Sequence, residues 1–508
     1  MKTGRMGCGR RVSACMVAVL LAGAFTPLPG GETEHIRTDT EVAPRAKRPN
    51  VLFIAVDDLR PELGCYGRSH MVTPRMDALA DSGTRFERAY CMVPVCGASR
   101  ASLMTSIRPS PNRFVNWQSR ADRDTPDAIP LHTHFTRHGY HSVSLGKVLH
   151  YLDDHADGWS EKPWRPNLPD EPQPNMPDRY CDCYVLPESL EIERRHRELA
   201  PRGPNARHRG PAYESADVPD EAYSDGKMVE RAIADMRRLA DKKQPFFLAV
   251  GFIRPHLPFL APKRYWDLYD PADIRLPDNY RPPENCPPAA LHSWGELRAY
   301  AGIPQQGPLT DETAHRLIHG YYACVSYVDA LVGRLLDELD RLGLGDDTIV
   351  VLWGDHGWQL GEHGLWCKHS CFETSMRAPL LIRAPGMPEG IACPTPVEFI
   401  DIYPTLCELA DLPLPEHLEG TSLVPLLRGE EEAMDRQIAV GRFQRGETIR
   451  TERYRYTEYR DGQGRLFARM LYDHHVDPDE TVNVAEEPAH SELIEQLSAQ
   501  LEANRARP

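Results

Sequence analysis

The chain has 508 residues, with 59 basic and 74 acidic side chains and a formal net charge of −15. An acidic chain without a basic face excludes nucleic acid as a general partner, although a local cluster of cations or a metal ion can still dominate a pocket. Hydrophobic residues at 41% and charged residues at 26% fit a globular chain long enough for one large α/β domain and a smaller companion.

Lys2, Arg5, Arg10 and Arg11 precede an apolar stretch from Ala14 to Leu21, and Ala22-Gly23-Ala24 supplies small residues for cleavage. Residues 1–24 therefore read as an export signal and 25–48 as a polar, disordered leader, so a periplasmic or secreted location is expected. The apolar stretch is too short for a comfortable bilayer span, no later segment is a candidate, and no integral membrane segment is expected. Removing Cys8 and Cys15 with the signal leaves 11 of the 13 cysteines, an odd number that requires at least one free, modified or intermolecular thiol. Cys181-x-Cys183 and the Cys367/Cys371 pair lack the second pair of a zinc site and read as thiols or disulfides.

Val51 to Val56 is a continuous apolar run, the pattern of a strand buried on both faces, and it ends in Asp57-Asp58. Thr73-Pro74 opens a helix that Gly83 stops. Cys96-Gly97-Ala98-Ser99-Arg100 then begins a second helix. Cys96 stands at its N-terminus, where unpaired N–H groups favour an anion, and Arg100 lies one turn on along the same side. A helix over 131–138 leads to a strand over 140–145 that ends in Gly146-Lys147-Val148-Leu149-His150. Residues 151–222 read as a long irregular insertion. A helix over 224–241 precedes the buried strand 246–252 and Arg254-Pro255-His256. After the Pro-rich loop 270–308, a long helix runs from Thr310 to Leu342. Strand 348–353 ends in Gly354-Asp355-His356-Gly357, and strand 379–383 follows. Strands alternating with helices imply a sandwich around a largely parallel sheet, whose ligands bind beyond the carboxyl ends of the strands. Asp57, Asp58, Lys147, His256, Asp355 and His356 all follow strands. Beyond 390 a helix near 400–409, strand-like runs over 437–474 and a helix over 491–505 read as a smaller α+β subdomain with an antiparallel sheet. The expected boundaries are thus 49–390 for a catalytic domain and 391–508 for the C-terminal subdomain.

Three carboxylates at two strand ends repel one another unless a cation neutralises them, and hard divalent ions take oxygen ligands. With Cys96-x-Ala98-x-Arg100, Gly146-Lys147 and Gly354-Asp355-His356-Gly357, the chain resembles the type I sulfatases of the alkaline-phosphatase superfamily. Lys147-Val148-Leu149-His150, Arg254-Pro255-His256-Leu257-Pro258-Phe259, Gly361-Glu362-His363-Gly364 with Lys368, and Leu471-Tyr472-Asp473-His474 resemble the iduronate-2-sulfatase branch. That family usually carries Pro at the third position of the Cys signature, where this chain has Ala98. Where many sulfatases have Asn, it has His356, as the iduronate branch does.

The resemblance implies an alkaline-phosphatase-like fold and a sulfate monoester hydrolase. Its substrate would be a sulfated glycan, of uronate 2-O-sulfate type. Cys96 would be oxidised to formylglycine by a formylglycine-generating maturation enzyme and supply the nucleophile. One divalent ion, taken as Ca2+, would be held by Asp57, Asp58, Asp355 and His356, with residue 96 facing it. Arg100, Lys147 and Lys368 would hold sulfate oxygens. His150 would act as base, His256 as acid to the leaving oxygen, and Arg254 would meet a substrate carboxylate. The alternatives are a formylglycine-dependent phosphonate or phosphate ester hydrolase, and a non-catalytic protein that binds sulfated glycans.

Overall fold

The computed structural model describes residues 48–166, 184–199, 209–430 and 437–505. The expected export signal and leader, up to residue 47, and Cys181 and Cys183 lie outside the described residues. In chain order the strands that matter here are β1 (Asn50–Val56), β2 (Thr84–Phe86), β3 (His141–Gly146), β4 (Phe246–Phe252), β5 (Thr348–Gly354), β6 (Leu380–Arg383), β7 (Ile391–Cys393), β8 (Ala439–Phe443), β9 (Gly446–Arg450), β10 (Tyr454–Arg460) and β11 (Leu466–Asp473). The principal helices are α1 (Pro74–Asp81), α2 (Cys96–Thr105), α3 (Leu131–Arg137), α4 (Pro187–Leu199), α5 (Ser224–Ala240), α6 (Asp311–Arg341), α7 (Ile402–Leu409) and α8 (Ser491–Arg505).

A seven-stranded sheet, ordered β7-β2-β6-β5-β1-β4-β3, forms the centre. β5, β1, β4 and β3 are mutually parallel, and β6 runs against both of its neighbours. The apolar runs explain this core directly. Side chains alternate across a strand, so Leu52, Ile54 and Val56 pack with α5 and α6 through Met228, Val229, Leu317 and Ile318. Val51, Phe53 and Ala55 pack on the opposite face with α2, α3 and α7 through Leu103, Met104, Phe135 and Leu406. Both faces are covered, which is why β1, β4 and β5 read as unbroken apolar runs rather than alternating ones.

The remaining four strands, β8 to β11, form an antiparallel meander covered by α8 through Ile494, Leu497 and Leu501. The central sheet continues past residue 390, because β7 pairs with β2. The antiparallel sheet begins only at Ala439.

Two expectations change in detail. Thr73 stands at the N-cap position of α1, but its hydroxyl accepts the Gly64 N–H at 2.8 Å and makes no capping bond. Thr310 does cap α6, accepting from Thr313 N at 3.2 Å. The segment 151–222, expected to be irregular, contains α4. That helix leaves Leu190 and Ile192 exposed and carries Arg194–Glu198 and Arg197–Glu193 pairs one turn apart. A helix supported by surface ion pairs has no apolar stripe to announce it.

Glu398 joins the segment after α2 to the antiparallel sheet. Its carboxylate accepts Arg108 at 2.9 and 2.5 Å from the end of α2, and the N–H of Val440 in β8 at 2.8 Å. Both side chains are buried. A buried ion pair contributes modestly beside an apolar replacement, but removing one partner leaves an uncompensated charge. Glu398→Ala is expected to cost about 3–5 kcal/mol, read as a lowered chemical-denaturation midpoint. An unchanged midpoint would show that this joint is dispensable.

Candidate active site at the carboxyl edge of the sheet

Because β1, β3, β4 and β5 run parallel, the residues that follow them emerge at one edge. Asp57 and Asp58 follow β1, Lys147 follows β3, His256 lies in the turn after β4, and Asp355 and His356 follow β5. The N-terminus of α2 closes over this edge. Gly97 allows that approach, since a Cβ there would lie 2.2 Å from the Trp117 carbonyl oxygen. Gly146, at φ +71°, turns the chain toward Lys147, and a Cβ there would stand 2.1 Å from the Gly251 carbonyl oxygen.

Arg100 is fully buried and knits these elements together. Its Nη2 donates to Asp57 Oδ1 at 2.9 Å, its Nε to Asp355 Oδ2 at 2.9 Å, and its Nη1 to the carbonyl oxygens of Lys147 and, at 3.0 Å, Val148. The guanidinium thus faces protein acceptors, which gives Arg100 a fixing role in place of the expected direct hold on sulfate oxygens. Lys147 Nζ donates to Asp57 Oδ2 at 2.5 Å. Burial opposes charge on Asp57, but Lys147 and then Arg100 hold its carboxyl well below the ordinary range.

Asp58, Asp355 and His356 converge on Cys96. The Cys96 sulfur lies 3.2 Å from His356 Nε2 and 3.8 Å from Asp58 Oδ1. His356 Nδ1 faces the Gly357 carbonyl oxygen at 2.9 Å, so it carries the proton there and Nε2 presents a lone pair. That lone pair looks toward Asp58 Oδ1 at 3.3 Å and Asp355 Oδ1 at 3.6 Å. Three buried acceptors facing one another are satisfied by a cation between them, and the outer hydrogen bond on Nδ1 is typical of a metal-ligating imidazole. Burial, with Asp57 adding to it, pushes Asp58 upward despite Lys368. Asp57, Asp58, Cys96 and His256 form one close set of potential ligand atoms and Cys96, Asp355 and His356 an adjoining one, so the carboxylates and His356 around residue 96 fit a hard divalent cation.

Burial, then Asp57, pushes the Cys96 thiol well above its ordinary range. As a thiol it is a neutral S–H and a poor nucleophile.

Lys368 and His256 also stand against Asp58, beside Cys96. Lys368 Nζ donates to Asp58 Oδ1 at 3.0 Å and lies 4.9 Å from the centre of the Trp358 ring. His256 Nδ1 faces the Leu257 carbonyl oxygen at 2.5 Å, and its Nε2 faces Glu296 Oε1 at 3.0 Å. The ring thus bridges the Leu257 backbone and the Glu296 carboxylate. Glu296 also receives Lys368 at 2.9 Å.

The sequence reading missed Glu296. It comes from the Pro-rich loop 270–308, follows no strand and belongs to no quoted motif, so only the folded chain reveals it. His150 Nδ1 is buried without a hydrogen-bond partner among the described residues. Burial, then Lys147, holds this imidazole well below its ordinary value and so neutral, as a base must be.

Arg254 is buried, with Nη1 donating to the His256 carbonyl oxygen at 2.6 Å. It holds the His256 turn rather than offering a surface cation to a substrate carboxylate. His363 stacks on Phe372 and bonds the Asp479 carbonyl oxygen, while His474 joins Arg450 to Glu480. These two residues serve packing between segments. Cys367 and Cys371 are both buried free thiols.

The sulfatase family model matches residues 49–412, and the model for the C-terminal part of N-sulphoglucosamine sulphohydrolase matches 361–507. A sulfatase of Formosa agariphila is 32% identical over 476 residues, covering 92% of this chain and 89% of that protein. Human iduronate 2-sulfatase is 32% identical over 408 residues, covering 72% and 70%. Among solved structures, the phosphonate monoester hydrolase of Silicibacter pomeroyi superposes with a TM-score of 0.71 at 26% identity, covering 90% of this chain and 95% of that one. The chain belongs to the sulfatase family, enzymes that hydrolyse sulfate esters.

Proposed function

We propose that this protein is an exported sulfatase that hydrolyses a sulfate monoester on a sulfated sugar, of uronate 2-O-sulfate type, with formylglycine derived from Cys96 as the nucleophile and Ca2+ as the metal. The observation that carries the reading is the position of Cys96. It is buried as an unreactive thiol at a helix N-terminus, yet surrounded by Asp58, His356, Lys368 and His256. A thiol there would form a sulfur–sulfur ester with no internal route to release. Hydrated formylglycine instead places two hydroxyls on one carbon, one to displace the alcohol from sulfur and one to expel sulfate as the aldehyde re-forms. The cation, held by Asp57, Asp58, Asp355 and His356, supplies acidification of the attacking hydroxyl and polarisation of the sulfate oxygens.

The chain's own residues complete the cycle. His256 delivers the proton to the leaving alcohol oxygen, and neutral His150 accepts the proton from the second hydroxyl. Lys147 and Lys368 balance the negative charge that spreads over the sulfate oxygens, while Arg100 holds Asp57 and Asp355 in place. Likeness to iduronate 2-sulfatase supports the uronate 2-O-sulfate assignment. The basic and then apolar pattern of residues 1–24 supports export, and no helix among the described residues is long and apolar enough to cross a membrane. A second reading, hydrolysis of phosphonate monoesters, is favoured by the likeness to the Silicibacter enzyme.

Protein co-expressed with a formylglycine-generating enzyme should release sulfate from a uronate 2-O-sulfated disaccharide, measured by ion chromatography across defined sulfated saccharides. Cys96→Ala should lower turnover at least about a thousandfold. Turnover of an aryl phosphonate monoester with none of any sulfate ester would select the second reading. The native chain should also carry a divalent ion, identified by plasma mass spectrometry, and lose it in Asp58→Asn. Full activity in a metal-free preparation would contradict the assigned role of the carboxylates.

A further inference from the structure

We propose that Glu296 sets the charge of the substrate pocket, so that the site prefers an ester group bearing one negative charge to one bearing two. The inference rests on the reading that this pocket receives the ester group. Glu296 meets Lys368 at 2.9 and 3.1 Å and His256 Nε2 at 3.0 Å, and it stands nearer to that nitrogen than Asp58, whose Oδ2 lies 3.9 Å away. Lys368 and His256 both border Asp58, next to Cys96. Asp57 and Asp355 are instead committed to Arg100 and Lys147, while Asp58 shares Lys368 with Glu296.

Glu296 also differs in origin. It reaches the pocket from a loop rather than from the sheet, and its side chain is 11% exposed. Neighbouring Gly295 is exposed, with open space where a Cβ would stand, while Trp294 and Leu297 on either side are buried and anchor the loop.

A fixed negative charge beside an anion site penalises each additional charge on the ligand. At neutral pH a sulfate monoester and a phosphonate monoester carry one negative charge, whereas a phosphate monoester carries nearly two. Lys368 is shared between Asp58 and Glu296, so the pocket's cationic charge is already partly balanced before any ligand enters. Removing the Glu296 charge makes the pocket one unit more positive, which benefits a dianion more than a monoanion. One elementary charge at about 6 Å, with an effective dielectric of about 40, changes that preference about tenfold. The same constraint accounts for a pocket that resembles both sulfatases and phosphonate monoester hydrolases, whose ester groups share a single charge.

The test compares the metal-loaded wild-type enzyme with Glu296→Gln, which keeps the shape and loses the charge, and Glu296→Asp, which keeps the charge. Glu296→Ala substitutes if the glutamine variant does not fold. Two unreactive probes of similar shape, benzenesulfonate and phenylphosphonate, are titrated by calorimetry at mildly alkaline pH, where the second is a dianion. The expected result is an approximately tenfold rise in the affinity for phenylphosphonate relative to benzenesulfonate in Glu296→Gln, with the wild-type ratio retained in Glu296→Asp. The kcat/KM for an aryl phosphate relative to an aryl sulfate should move in the same direction. A purely structural residue would weaken both probes together. An unchanged ratio in Glu296→Gln overturns the inference even where sulfate turnover stands. A shifted ratio in a protein that cleaves no sulfate ester upholds the charge role and overturns the sulfatase reading instead.

Discussion

The buried guanidinium of Arg100 is the contact on which the site depends. It binds Asp57 after β1, Asp355 after β5 and the backbone after β3, all from the first turns of α2. An arginine is suited to this because its planar fork can serve several fixed acceptors at once while remaining charged. The arrangement fixes α2 against three strand ends, and so fixes Cys96, which opens α2, against Asp58 and His356. The ion pairs are fully desolvated, so their value lies in orientation more than in net stability. Loss of Arg100 would leave Asp57 and Asp355 buried with one cation fewer, and the cluster would lose its geometry along with its charge balance.

Around that contact the charges fall into two groups. Asp57, Asp58 and Asp355 with His356 form an electron-rich cup facing residue 96, and the open lone pair of His356 Nε2 makes the cup suited to a cation. Lys368, His256 and Glu296 form a second group that meets the first at Asp58. In the proposed mechanism the first group would activate the nucleophile and the second would receive the leaving group. Cys96 lies against Asp58 and His356, and burial raises its thiol well above the ordinary range.

Much of this was legible in the sequence for a physical reason. A strand buried on both faces must be apolar throughout, so β1, β4 and β5 stand out, and charged residues placed immediately after them must lie at one edge of a parallel sheet. Asp57, Asp58, Lys147, Asp355 and His356 follow from that rule, and the Cys96 pentapeptide from its place at a helix start. What escaped had no periodic or positional signal. Glu296 arrives from a Pro-rich loop whose path no local pattern encodes. α4 is held by Arg–Glu pairs instead of an apolar stripe. The inward commitment of Arg100 and Arg254 could not be told from an outward one, since burial of a charged side chain depends on partners brought from distant parts of the chain.

The most direct test of the central claim is the chemical state of residue 96 in active protein. Peptide mass spectrometry with an aldehyde-specific label should find the Cys96 side chain as formylglycine or its hydrate, in a fraction that tracks specific activity across preparations. Active enzyme in which residue 96 is entirely unmodified cysteine would contradict the account.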